Sequence, residues 1–137
     1  LSQRVPMTGA VVVTTPQEVA TMDARKALKM FEKVEIPVLG LVENMAVHVC
    51  SQCGHSEHIF GSGGAQWMSE QYGVPVLGTL PLEIGIREHG DAGVPIVVAQ
   101  PDSAAAQAYR ATARALLERL AQRPKVRTGI MASLIGG

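Results

Sequence analysis

Several things are scarce in this sequence, and each shortage removes a class of protein. Its 137 residues hold only two cysteines, too few for a disulfide framework. Net charge is also lacking, because twelve Lys and Arg balance twelve Asp and Glu with His neutral. A nucleic-acid footprint needs a basic excess or a clustered basic face, so no nucleic-acid partner is expected. The apolar runs, such as Gly9–Val13 and Val94–Ala99, fall far short of the roughly 20 residues that cross a bilayer, and no membrane partner is expected. Leu1-Ser2-Gln3-Arg4 leads into Val5-Pro6 without the apolar segment of a secretory signal, which makes the cytoplasm the expected compartment. No Gly-Lys-Ser or Gly-Lys-Thr occurs, so the chain carries no Walker A phosphate loop. It opens on Leu rather than Met and reads from its first residue like the middle of something, so a piece of a longer protein is expected.

What is present suits one compact α/β domain. At 47% hydrophobic the chain is long enough to bury a core. Gly9–Thr14, Pro37–Glu43 and Pro75–Leu80 are short apolar runs bounded by turn residues, the pattern of buried parallel strands, and Pro95–Val98 is a weaker fourth. Helical patterns alternate with them, which predicts a doubly wound parallel sheet. Thr15-Pro16-Gln17-Glu18 reads as a capping box opening the first helix. Ala20, Ala24, Ala27, Leu28 and Phe31 fall on one face of that helix, and Arg25, Lys26, Lys29 and Lys33 mainly on a solvated one. A second helix is predicted over 65–72, closed by Gly73. A third runs from Asp102 or Ser103 until before Pro124, with Ala105, Tyr109, Thr112, Leu116 and Leu120 on one stripe. The domain is expected to span 1–123, and the weakly patterned tail, 124–137, to be disordered.

The sharpest local feature is Cys50-Ser51-Gln52-Cys53-Gly54-His55-Ser56-Glu57-His58, within the connection 45–60 that follows the second strand. C-x-x-C spacing lets two thiolates face one soft metal, and Gly54 can take the positive φ of a tight knuckle. Three chemistries fit. An iron–sulfur cluster usually takes four thiolates, so one chain offers half a site and a two-fold dimer would complete it. Zinc could recruit His55 and His58 to make Cys2His2, although His55 follows Cys53 more closely than ligand pairs usually do. A redox dithiol would start a helix, and no helical pattern begins here. The residues alone leave cluster and zinc open and place redox third.

Weaker candidates lie nearby. Gly61-Ser62-Gly63-Gly64 precedes a helix like a phosphate cradle, but no strand feeds it and no Lys follows, which favours a turn. Asn44 stands just past a buried strand, where side chains reach ligands. An amide there can pair with a nucleobase edge or simply bond its own turn. Pro81-Leu82-Glu83 reads as a β-to-helix turn. His48, His89 and Asp91 have no evident partner and read as solvated.

The order of these segments resembles the Mrp/ApbC family of iron–sulfur cluster carrier ATPases. The resemblance is carried by Val5–Gln17, Asp23-Ala24-Arg25-Lys26-Ala27, Pro37–Met45, Cys50-x-x-Cys53-Gly54, Ile59-Phe60-Gly61, Leu80-Pro81-Leu82 and Ile86-Arg87-Glu88-x-Gly90-Asp91-x-Gly93-x-Pro95. It covers about residues 1–98. The fold it implies is the C-terminal part of a doubly wound P-loop NTPase sheet, related to MinD and the nitrogenase iron protein. By resemblance Cys50 and Cys53 are cluster ligands, Asn44 recognises adenine and Pro81 flanks the base. The resemblance also implies a homodimer sharing one cluster, of 4Fe–4S type, between paired C-x-x-C motifs. It further implies ATP with Mg, and apo iron–sulfur proteins as recipients. It raises the cluster reading above a structural zinc knuckle in a non-catalytic module, the alternative, with zinc a possible substitute occupant. A MinD-like positioning ATPase is a third reading, but the tail from Gly129 to Gly137 lacks the basic amphipathic helix such proteins carry.

The family's phosphate loop and magnesium-placing strand would precede Leu1. No catalytic residue is therefore assigned, and residues 1–137 alone are expected not to hydrolyse ATP. A malachite-green assay should find no phosphate release above the buffer blank; turnover by this polypeptide would contradict the reading.

Overall fold

The computed structural model describes residues 5–122. The tail expected to be disordered lies outside the described residues. The elements run β1 (Ala10–Thr14), α1 (Glu18–Lys33), β2 (Val38–Glu43), β3 (His48–Val49), β4 (Ser56–Glu57), α2 (Gly64–Tyr72), β5 (Val76–Thr79), α3 (Ile84–Asp91), α4 (Ile96–Ala99) and α5 (Ala104–Ala121).

β1, β2 and β5 form a parallel sheet in that order, with Thr14 opposite Glu43 and Glu43 opposite Thr79. All three expected strands are present, and helices cover both faces as doubly wound α/β folds require. Alternate side chains feed two cores. Val12, Leu41 and Met68 pack with Ala24 and Leu28 of α1, whereas Val42, Leu77 and Leu80 meet Ala108, Tyr109, Ala115 and Leu116 of α5. The repeated Pro-Val-Leu-Gly of β2 and β5 exists for close approach. A Cβ on Gly40 would overlap the Leu77 side chain, and one on Gly78 would overlap Thr112 of α5.

Two helix ends show clear capping chemistry. Ser103 caps α5, its hydroxyl oxygen accepting from the Ala106 N–H at 3.1 Å, and Gly73 closes α2 at φ 65°. The capping box before α1 does not form. Gln17 is the N-cap and makes no side-chain capping bond, while the Thr15 hydroxyl donates instead to Gln17 Oε1 at 2.6 Å. The weak fourth strand is also corrected. Pro95 starts a four-residue helix, α4, whose Ile96 is buried, because a short apolar run carries no period of its own and here finds no strand to pair with.

Candidate functional site: a dithiol hairpin beyond the sheet

β2 does not stop dead at Glu43. The Asn44 N–H donates to the Thr14 carbonyl at 2.7 Å, and beyond Met45 the Ala46 N–H donates to the Leu80 carbonyl at 3.0 Å. Leu82 N–H to Val47 carbonyl (2.8 Å) and Val49 N–H to Leu82 carbonyl (3.2 Å) continue the ladder, with His48 bridged in parallel to Leu82. The chain therefore leaves the sheet along a rail made by the continuation of β5. β3 and β4 then pair antiparallel, His48 opposite Glu57 and Val49 opposite Ser56. The hairpin's return is tied down where the His58 Nδ1 hydrogen donates to the Ala46 carbonyl at 2.8 Å.

Cys50 and Cys53 occupy the tip. The turn closes through Cys50 N–H to His55 carbonyl (2.9 Å) and Gly54 N–H to Cys50 carbonyl (2.8 Å), with Gly54 at φ 72°, as the knuckle reading requires. Both thiols are free, Cys50 half-buried and Cys53 exposed. The Cys50 thiol is held below its ordinary pKa, chiefly by the backbone N–H of Gln52, then by the backbone and side chain of Cys53; partial desolvation and the Glu57 charge oppose this. A free thiol that is easier than usual to deprotonate, at the tip of a two-residue knuckle, suits ligand or nucleophile chemistry.

The zinc alternative finds less support in this geometry. His58 is engaged with Ala46, and among the described residues no three His, Cys, Asp or Glu side chains converge as a metal site. The tip carries two free thiols.

Asn44 and Pro81 are placed at the same end of the sheet but not in one groove. Asn44 lines an open groove of about 500 Å³ with Thr14, Thr15, Ala20 and Asp23, and its Oδ1 accepts from the Met45 N–H at 3.0 Å, the turn-bonding arrangement. Pro81 is half-buried on the β5 continuation and does not line that groove.

Glu43 is a residue that sequence reasoning missed. It is 6% exposed, and its Oε2 accepts from the Ala65 N–H at the start of α2, at 2.8 Å. The Gly61–Gly64 segment is thus a turn delivering α2 onto the protein's own carboxyl group, not a phosphate cradle. Gly61 and Gly63 have φ of 85° and 80°. The available signal was a lone acidic residue ending an apolar strand. Glu43→Ala strands a buried donor and should lower unfolding free energy by about 1–3 kcal/mol, with Glu43→Gln losing less. Urea denaturation checks this, and an unchanged Ala variant would refute the capping role.

Four other residues have partners or surroundings that the sequence did not suggest. His48 is half-buried: its Nδ1 is shielded without a hydrogen-bond partner, 3.8 Å from Glu57 Oε1. Asp91 accepts from Arg87 at 3.0 Å, and His89 meets Gln100. Arg25 leaves the basic face of α1, donating to the Tyr72 hydroxyl at 3.1 Å and lying over the Trp67 ring.

A parallel sheet covered on both faces, with candidate ligand side chains beyond the strands' carboxyl ends, defines part of a MinD-like P-loop NTPase fold bearing a dithiol hairpin. The chain belongs to the ParA family described as NUBPL iron-transfer P-loop NTPase, which matches residues 1–117. It is 57% identical over 110 residues to the iron-sulfur cluster carrier protein of Pseudomonas fragi, covering 80% of this chain and 38% of that one. Over 125 residues it is 47% identical to the mouse iron-sulfur cluster transfer protein NUBPL, covering 91% of this chain and 39% of that one. Among solved structures it is similar to the septum site-determining protein MinD complexed with Mg-ADP from Pyrococcus horikoshii. That likeness has a TM-score of 0.64 at 27% identity and covers 84% of this chain and 43% of the other. The chain thus spans under two-fifths of the length of the two carrier relatives. Among the described residues no helix is long and apolar enough to cross a membrane.

Proposed function

We propose that this chain is the cluster-holding part of an iron–sulfur cluster carrier. Cys50 and Cys53 of two copies ligate one cluster at a two-fold interface and release it to apo iron–sulfur proteins. The observation that carries this reading is the pair of free thiols at the tip of an anchored hairpin, one thiolate-stabilised and the other exposed. Two thiolates satisfy half of a cluster's usual four, and a site shared between copies is less enclosed than one held within a single chain, which suits cargo meant to be handed on. The names of the carrier relatives point the same way.

In the intact protein, ATP binding and hydrolysis drive the cycle, with phosphate and Mg held by groups outside this chain. Asn44 reads the adenine edge, and Pro81 flanks the base from the neighbouring continuation of β5, outside the groove that Asn44 lines. The cluster is of 4Fe–4S type and the carrier works in the cytoplasm. Anaerobic reconstitution with iron and sulfide tests the reading: broad visible absorption should appear, and the cluster should pass to an apo-ferredoxin. Reconstituted protein that holds no iron above a thiol-free control would overturn it.

A further inference from the structure

The stretch between the proposed base contact and the proposed cluster ligand contains an outlier. Met45 has φ 55°, the left-handed region that a side chain with a Cβ occupies only at a cost. Its neighbours are fixed: Asn44 N–H to Thr14 on one side, Ala46 N–H to Leu80 on the other, and the Ala46 carbonyl takes the His58 hydrogen that anchors the hairpin. The Met45 N–H goes instead to the side chain of Asn44, at 3.0 Å. One amide oxygen therefore holds a strained residue in place, and that amide belongs to the residue proposed to read adenine.

We infer that Met45 is a hinge that couples the nucleotide site to the dithiol hairpin. Resting on the carrier reading above, the inference names how that site is regulated. When a nucleobase claims the Asn44 amide, the Met45 N–H loses its acceptor and the left-handed conformation loses its support. Residue 45 then relaxes toward the extended region, and the segment Ala46–Cys50, which begins one residue on, shifts along its rail beside Leu80–Leu82. The thiols at the tip move with it. A strained residue whose own N–H rests on one replaceable acceptor is a natural two-state element, and this one lies five positions from Cys50.

The test reads the thiols directly and needs no cluster. In the intact apo protein, the rate of iodoacetamide alkylation of Cys50 and Cys53, resolved by peptide mass spectrometry, is measured with and without saturating Mg-ADP. The parent rate should change by about fivefold or more, the lower end of allosteric coupling. Met45→Ala removes the side chain but keeps the penalty at positive φ, so its coupling should persist. Met45→Gly removes the penalty, and its ratio should fall to about one while ADP still binds by titration. A purely packing role for the Met side chain predicts the opposite order. Met45→Asn, which also tolerates the conformation, serves if the Gly variant does not fold. A parent rate indifferent to Mg-ADP, or a Gly variant coupled like the parent, overturns the hinge. Iron loading of the same preparations reports separately: thiols that respond to ADP but never hold iron would sink the carrier reading and leave the hinge standing.

Discussion

Replacing Cys50 with alanine is expected to bring iron content after anaerobic reconstitution down to background, with the visible absorption lost. The reason is stoichiometric. A cluster usually takes four thiolates, the chain has two cysteines, and in a symmetric dimer one substitution per chain removes half the ligand set at once. Cys53→Ala should behave alike, because it removes the same share of the ligand set. The fold should survive, because the bonds closing the turn, Cys50 N–H to His55 and Gly54 N–H to Cys50, are backbone bonds. Loss of iron without loss of structure is the signature to look for by parallel iron assay and circular dichroism. A Cys50→Ala protein that loads iron like the parent would place the ligands elsewhere.

The largest stability effect is expected at Leu41, fully buried in the centre of β2. Leu41→Ala removes side-chain volume from between α1, α2 and the sheet, where Val12, Ala24, Leu28 and Met68 close around it. Neighbouring strands on both sides limit collapse, so the cost should be about 2–5 kcal/mol. The position also matters for function, since β2 leads into both Asn44 and the dithiol hairpin. A urea titration of the intact protein should show a lower midpoint with little change in slope. A midpoint equal to the parent's would mean that this strand is not the centre of the core.

Much of this was legible from the residues, for reasons that differ by element. β1, β2 and β5 are apolar runs between turn residues, and burial on both faces leaves them little alternative. The dithiol knuckle was legible because its chemistry is local: two thiols at fixed spacing and a Gly whose φ is indeed positive. β3 and β4 were not, since two-residue strands leave no periodicity. Ile96-Val97-Val98 favours a strand by composition, yet with no strand beside it among the described residues the segment folds as α4. The Thr15 cap failed because α1 starts at Glu18 with Gln17 as its N-cap, two residues later than the box required, which leaves the Thr15 hydroxyl to donate to Gln17 Oε1. Glu43 as the cap of α2, and Met45 at positive φ, depend on residues 22 positions away and on one backbone angle respectively. The lone acid ending an apolar strand marks Glu43 without naming its partner, and no local pattern records the Met45 angle.

The claim that most needs a direct measurement is that the site is half a site. Native mass spectrometry of the intact protein, reconstituted anaerobically and sprayed without oxidation, reads chain count and cluster content in one spectrum. The account expects the cluster only in species of two chains, at about four irons per pair, and dimers of the Cys50→Ala protein without it. A full cluster riding on a single chain, or on pairs lacking Cys50, would contradict it.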